Sequence, residues 1–165
     1  MTNSLTDSSA IDADAPEEGP DLALGFRIVT WIGIIEQLTR TMANRDLSAI
    51  GLPWNQFVLL NHFSHRPAEG KTVTGVARAM QQQQPGITKT MKSMVEGGLL
   101  RIEADPKDGR IKFHYMTDHG QQRHKEAVNR LLPRLHDLFR DWSREEMDQT
   151  FASLDRMKVW LDDNR

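Results

Sequence analysis

Two short clusters of side chains carry the chemistry that can be read from this sequence. The first is Lys107, Asp108, Arg110 and Lys112, three cations and one acid within six positions around a Pro106–Gly109 turn. The second is Gln83, Gln84, Thr88, Lys89 and Lys92, amides and a hydroxyl followed by two cations along one helical segment. Lysine and arginine neutralise phosphates. Glutamine amides pair with base edges, and a threonine can bond a base or touch a thymine methyl. A β-turn needs Gly or Asp, but it does not need three cations. Both clusters therefore suit a polyanion that also presents hydrogen-bonding edges. No nucleophile, base and orienting group stand at a recognisable spacing, and there is no glycine-rich phosphate loop and no pair of carboxylates in an apolar frame. No catalytic residue is assigned, and an enzyme is not expected.

The elements that position these residues follow from periodicity. Residues 100–104 and 111–115 alternate with a period of two: Leu100, Ile102 and Ala104 against Arg101 and Glu103, then Ile111, Phe113 and Tyr115 against Lys112 and His114. This predicts a β-hairpin whose tip holds the first cluster. Asp105 and Asp108 are expected to orient Arg110 or Lys107 through ion pairs. Upstream, the sequence predicts helices over 72–81 and 85–98. The second is opened by Pro85, stopped by Gly97-Gly98, and carries an apolar stripe of Ile87, Met91 and Met94. Two short helices and a hairpin make a winged helix-turn-helix, in which the second helix enters the DNA major groove.

Long helices flank this middle. One is predicted over 21–46, with Leu24, Ile28, Trp31, Ile35, Leu38 and Met42 recurring at steps of three and four, and another over 53–65. A third, over 118–142, has Thr117 as its cap and a kink expected at Pro133. A last one begins at the capping box Ser143-Arg-Glu-Glu146 and runs to about residue 162. The first helix is apolar around more of its circumference than one partner surface would cover.

Charge follows the same division. The net charge is −2, but residues 1–21 hold six acids and no Lys or Arg, while residues 71–115 hold eight Lys/Arg against four Asp/Glu. The whole-chain balance conceals a basic block that coincides with the winged helix. Residues 1–20 lack the apolar content to order and are expected to be a disordered acidic tail. No uninterrupted apolar run approaches the roughly 18 residues that a membrane span requires, and no basic region followed by an apolar one marks a secretory signal. The chain has no cysteine. This excludes disulfides, thiolate metal sites and thiol redox sensing, and fits a cytoplasmic protein.

The stretch Asp105-Pro-Lys107-Asp108-Gly-Arg110, followed by Met116-Thr117 and Gly120, resembles the wing signature of the MarR family of bacterial transcription regulators. The upstream VARAMQQQQPGITKTMKSMVEGGLL aligns without gaps to that family's helix-turn-helix, through Ala77, Pro85, Thr88, Glu96 and Gly98-Leu99. Lys107 stands where the family has its first wing arginine. Gln81, Gln82 and Gln83 stand where it often has Gly, an apolar residue and Ser. The resemblance, over about residues 22–162, implies a mainly α (α+β) fold and an intertwined homodimer built from the N- and C-terminal helices. The implied domains are a tail over 1–20, an N-terminal dimerisation helix and linker over 21–52, a DNA-binding domain over 53–117, and C-terminal dimerisation helices over 118–165.

The resemblance implies a palindromic double-stranded operator and a repressor relieved by a small effector of aromatic character. The effector pocket would be bordered by Trp31, Trp54 and His62, although large aromatics more often fill cores. His62-x-x-His65 lies one helical turn apart. Lone histidines are more often surface or hydrogen-bonded residues, so no metal and no cofactor is assigned. The alternative is a winged-helix module that binds proteins through the same faces.

Overall fold

The structure, a computed structural model, describes residues 21–164. Six helices and one hairpin follow in the order α1 (Leu22–Ser48), α2 (Trp54–Ser64), α3 (Val73–Ala79), α4 (Gln84–Glu96), β1 (Leu100–Ala104), β2 (Lys112–Met116), α5 (Asp118–Leu138) and α6 (Arg144–Asp163). The chain divides into two units, one ending at Thr39 within α1 and one beginning at Arg40. The expected acidic tail, residues 1–20, lies outside the described residues.

In the first unit, Asp21 opens α1 by accepting the Leu24 N–H at 2.9 Å. The helix is long and apolar enough, by length and composition, to cross a membrane. Arg27, Thr30 and two glycines break the run in sequence, while the Leu, Ile, Val, Phe and Trp side chains around them keep the average apolar.

The second unit is built around one core. Leu47, Leu59, Leu60, Phe63, Met91, Met94 and Leu100 are all essentially removed from water. At about 25 cal/mol per Å² of apolar surface, each such side chain contributes roughly 1.5–3 kcal/mol relative to exposure. α4 supplies Ile87, Met91 and Met94 from one face, as its sequence stripe predicts. Thr72 caps α3 by accepting the Gly75 N–H at 3.1 Å. The α3–α4 turn passes through Gln81 with φ +53°, a left-handed backbone conformation that glycine adopts at lower cost. At the far end of α4, Gly98 takes φ +70°.

The hairpin pairs Leu100 with Met116, Arg101 with Tyr115 and Ile102 with His114. The period of two is present, but the buried members of β2 are His114 and Met116, while Ile111 precedes the strand and is 40% exposed. The cause lies forty residues upstream. Lys71 forms an isolated antiparallel bridge to β2, its N–H and C=O both bonded to His114 at 3.0 and 2.9 Å. The His114 ring Nδ1 also lies 3.3 Å from the Lys71 carbonyl. A histidine whose backbone and ring are both satisfied can occupy the inner face.

Thr117 ties the hairpin to α5. Its hydroxyl donates to the Gly98 carbonyl at 2.7 Å and accepts the Gly120 N–H at 2.9 Å. Pro133 lies inside α5, which ends at Leu138, four residues short of the expected 142. The predicted capping box at Ser143 and Glu146 is formed in both directions. α6 buries none of its own residues, with Phe151 71% and Trp160 63% exposed.

A Cβ on Gly120 would sit inside van der Waals contact with the Leu99 carbonyl oxygen. Gly120→Ala is therefore expected to destabilise the chain by about 1–3 kcal/mol, despite the higher helix propensity of alanine. Urea denaturation at fixed protein concentration checks this, and an unchanged midpoint would contradict it.

Candidate nucleic-acid interface

α4 has two polar faces as well as its apolar one. The inner polar face is held by α2: the Asn55 amide donates to Thr90 Oγ1 at 3.1 Å, and the Gln56 amide to Ser93 Oγ at 3.2 Å. The outer face carries Gln83, Gln84, Thr88, Lys89 and Lys92, all exposed. Gln83 is the N-cap residue but makes no side-chain cap, so its amide is not consumed by the helix end. Thr88 donates its hydroxyl back to the Gln84 carbonyl at 2.9 Å. Lys92 lies 3.8 Å from Glu96, an exposed pair of little energetic weight.

The wing tip is organised by its acids, though not by the ion pairs expected from sequence. Asp105 Oδ1 accepts the backbone N–H of Lys107 at 2.6 Å and of Asp108 at 3.1 Å. Asp108 Oδ1 accepts the N–H of Arg110 at 3.0 Å. A short carboxylate reaches a main-chain donor two or three residues on more readily than a long mobile side chain. Among the described residues, the Lys107, Arg110 and Lys112 side chains form no ion pair, so their charge is available to a partner.

The start of α3 links the two clusters, and sequence reasoning missed it. A groove of about 440 Å³ is lined by Thr72, Val73, Thr74, Arg110, Ile111 and Lys112. A second, shallower one of about 490 Å³ runs over the α3–α4 turn past Thr74, Arg78, Gln81, Gln82 and Gln84. Thr74 lines both, with the wing cations on one side and the start of α4 on the other. The signal available in sequence was the Thr-x-Thr at the head of α3.

Within the second unit, Trp54 and His62, both expected at an effector pocket, stand in different surroundings. Trp31 is 57% exposed on α1, in the first unit. Trp54 belongs to an aromatic row: its ring centroid lies 5.6 Å from that of Phe57, which in turn stacks on His124 at 5.9 Å. His62 lines a separate cleft of about 340 Å³ with Glu69, Lys71, Thr72 and Phe113. Among the described residues, no group of three or more His, Cys, Asp or Glu is placed to hold a metal ion.

These features define a winged helix-turn-helix protein with a cationic wing beside a polar helix. Residues 50–111 match the MarR family. The transcriptional regulator AdcR of Streptococcus pneumoniae is 38% identical over 50 residues, and that match spans 30% of this chain and about a third (34%) of AdcR. The fold extends further than the detectable sequence likeness. The transcriptional regulator BldR from Sulfolobus solfataricus superposes with a TM-score of 0.74 at 20% identity, over 86% of this chain and 99% of BldR. The S. aureus MepR protein, solved as a DNA complex, superposes with a TM-score of 0.67 at 20% identity, over 79% of this chain and 94% of MepR.

Burial lowers the pKa of His62, His114 and His124 below the ordinary 6.5; Lys71 and His65 add repulsion at His62, and His65 at His124. The unfolded chain therefore binds protons at these positions before the folded one does. The resulting stability is fully present above about pH 6.5 and is lost as pH falls through the lowered native values. Urea midpoints are expected to drop between pH 7.5 and 5, and His114→Gln should flatten part of that slope. A midpoint independent of pH would contradict the neutral, buried assignment.

Proposed function

We propose that the chain is a homodimeric regulator of transcription that binds a specific, palindromic double-stranded DNA site in the cytoplasm. Its activity would be that of a repressor relieved by a small ligand. The observation that carries this reading is Thr74 flanked by both clusters: wing cations without ion-pair partners among the described residues on one side, the exposed amide end of α4 on the other. In this reading α4 enters the major groove through Gln83, Gln84 and Thr88, which face base edges. Lys89 and Lys92 hold phosphates. The wing residues Lys107, Arg110 and Lys112 reach the adjacent minor groove, with Asp108 fixing the tip. A lysine at position 107 keeps charge but lacks the planar fork of arginine, so Arg110 carries more of the groove contact. The regulator named among the relatives and the MepR–DNA complex support the assignment.

The terminal helices supply the dimer. Phe26 and Val29 on α1, and Phe151 and Trp160 on α6, are exposed in a single chain. A second copy of the chain removes such apolar surface from water and sets two copies of α4 against one duplex. The apolar character of α1 is read as dimer surface, not as a membrane span. Residues 53–117 form the DNA-binding domain, with 21–52 and 118–165 given to dimerisation. The effector would be a small molecule, and its site the aromatic region that includes Trp54.

Selection of bound fragments from random duplex DNA should enrich an inverted repeat whose half-sites lie about 34 Å apart, one helical turn. On that site Arg110→Ala should weaken binding about tenfold or more, and Lys92→Ala should weaken cognate and unrelated duplexes alike. Failure to enrich any repeat, with a folded dimer in hand, would favour a winged helix that binds proteins.

A further inference from the structure

Residues 71–115 hold eight cations, and the fold divides them. The Lys71 side chain is mostly buried, its Nζ 5.8 Å from the Phe63 ring centroid and 4.0 Å from Glu69. Arg101 is engaged by the hairpin itself: its guanidinium lies 4.5 Å from the Tyr115 ring centroid and pairs with Glu103. Side chains alternate between the two faces of a hairpin. Arg101 is opposite Tyr115 and Ala104 is opposite Lys112, so Arg101 and Lys112 belong to opposite faces. The groove between the wing and α3 is lined by Arg110 and Lys112, not by Arg101.

Arg78 is the cation of this block that belongs to neither α4 nor the hairpin and is not buried. It is exposed in the last turn of α3, beside the buried Val76 and Ala77. Its guanidinium forms no ion pair among the described residues. Thr74 and Arg78 are four positions apart and share one face of the helix. Thr74 lines the groove beside the wing and the shallower one over the α3–α4 turn, and Arg78 lines the second with Gln81, Gln82 and Gln84. The two helices meet there, with Thr74 Oγ1 3.4 Å from Gln84 Oε1. Positive charge thus runs from Arg110 and Lys112, past Thr74, to Arg78 beside the amide end of α4.

We propose that Arg78 is a further DNA contact, holding a phosphate of the strand that passes over the α3–α4 turn, and that Arg101, on the far face of the wing, takes no part. The proposal rests on the DNA-binding reading above. In a helix-turn-helix the first helix crosses the backbone while the second enters the groove. A guanidinium placed there can hold two phosphate oxygens at once. A cation in the last turn of α3 also complements the helix dipole. That role changes stability and leaves the salt dependence of DNA binding alone.

The test uses the full chain, with duplex binding measured over a series of salt concentrations for the wild type, Arg78→Ala, Arg78→Lys and Arg101→Ala. In Arg78→Ala the slope of log affinity against log salt should be shallower by about 0.9, the increment for one phosphate. That variant should weaken cognate and unrelated duplexes alike. Arg78→Lys should keep the wild-type slope. Arg101→Ala removes the same charge and should also keep it. If Arg78→Ala lowers the urea midpoint, Arg78→Gln, which retains helix propensity, takes its place. A wild-type slope in the variant that loses the Arg78 charge would overturn the proposal. Equal losses of slope on removing Arg78 and Arg101 would also overturn it, because net charge rather than position would then be the cause. A changed base preference at one position in Arg78→Ala would contradict the phosphate role. Absence of any salt-dependent duplex binding by the wild-type chain would overturn the DNA-binding reading itself, and this proposal with it.

Discussion

Everything at the candidate interface depends on the burial of one face of α4. Ile87, Met91 and Met94 are packed into the core of the second unit, and Asn55 and Gln56 hold the neighbouring polar face through Thr90 and Ser93. A helix of thirteen residues is only marginally stable by itself in water, so its tertiary contacts are what keep it helical. Those contacts also leave a single face outward, and that face carries the amides and cations. The same core receives Leu100 and Met116 from the hairpin, so the wing is anchored to the structure that anchors α4.

Local features of this fold were legible in the sequence because their causes are local. The Thr117 cap, the Ser143–Glu146 capping box and the stop at Gly97-Gly98 each join a side chain or a glycine to backbone within a few residues. The winged helix followed from two short helices and two alternating strands, and its likeness to the MarR family from the wing signature. What sequence reasoning missed depended on distant pairing. His114 looked like an outward-facing residue because imidazole is polar, but its burial depends on Lys71, which lies far from it in the chain. The wing acids were expected to hold side-chain cations, whereas they hold main-chain N–H groups.

Trp54 and His62 point to different surroundings on the same helix. The two are eight residues apart on α2, which turns them roughly 80° from each other around the helix axis. Trp54 enters the row with Phe57 and His124, and His62 enters the cleft beside Lys71. Thr74 was missed because its significance arises only when the α3–α4 turn brings it to Gln84, a contact across ten positions with no trace in periodicity. The glutamine run behaves as several different residues. Gln81 makes the left-handed turn, Gln83 caps α4 without using its side chain, and Gln84 is held by its neighbour.

Joint contact of the outer face of α4 and the wing with phosphates is the central claim. The most direct measurement is the salt dependence of duplex binding by the wild-type chain, beside a variant carrying Lys89→Ala, Lys92→Ala and Arg110→Ala. The logarithm of affinity should fall linearly with the logarithm of salt, with a slope of about −0.9 for each phosphate neutralised. The triple variant should have a slope shallower by between two and three such increments. Equal slopes for the two proteins, or a wild-type affinity indifferent to salt, would contradict it.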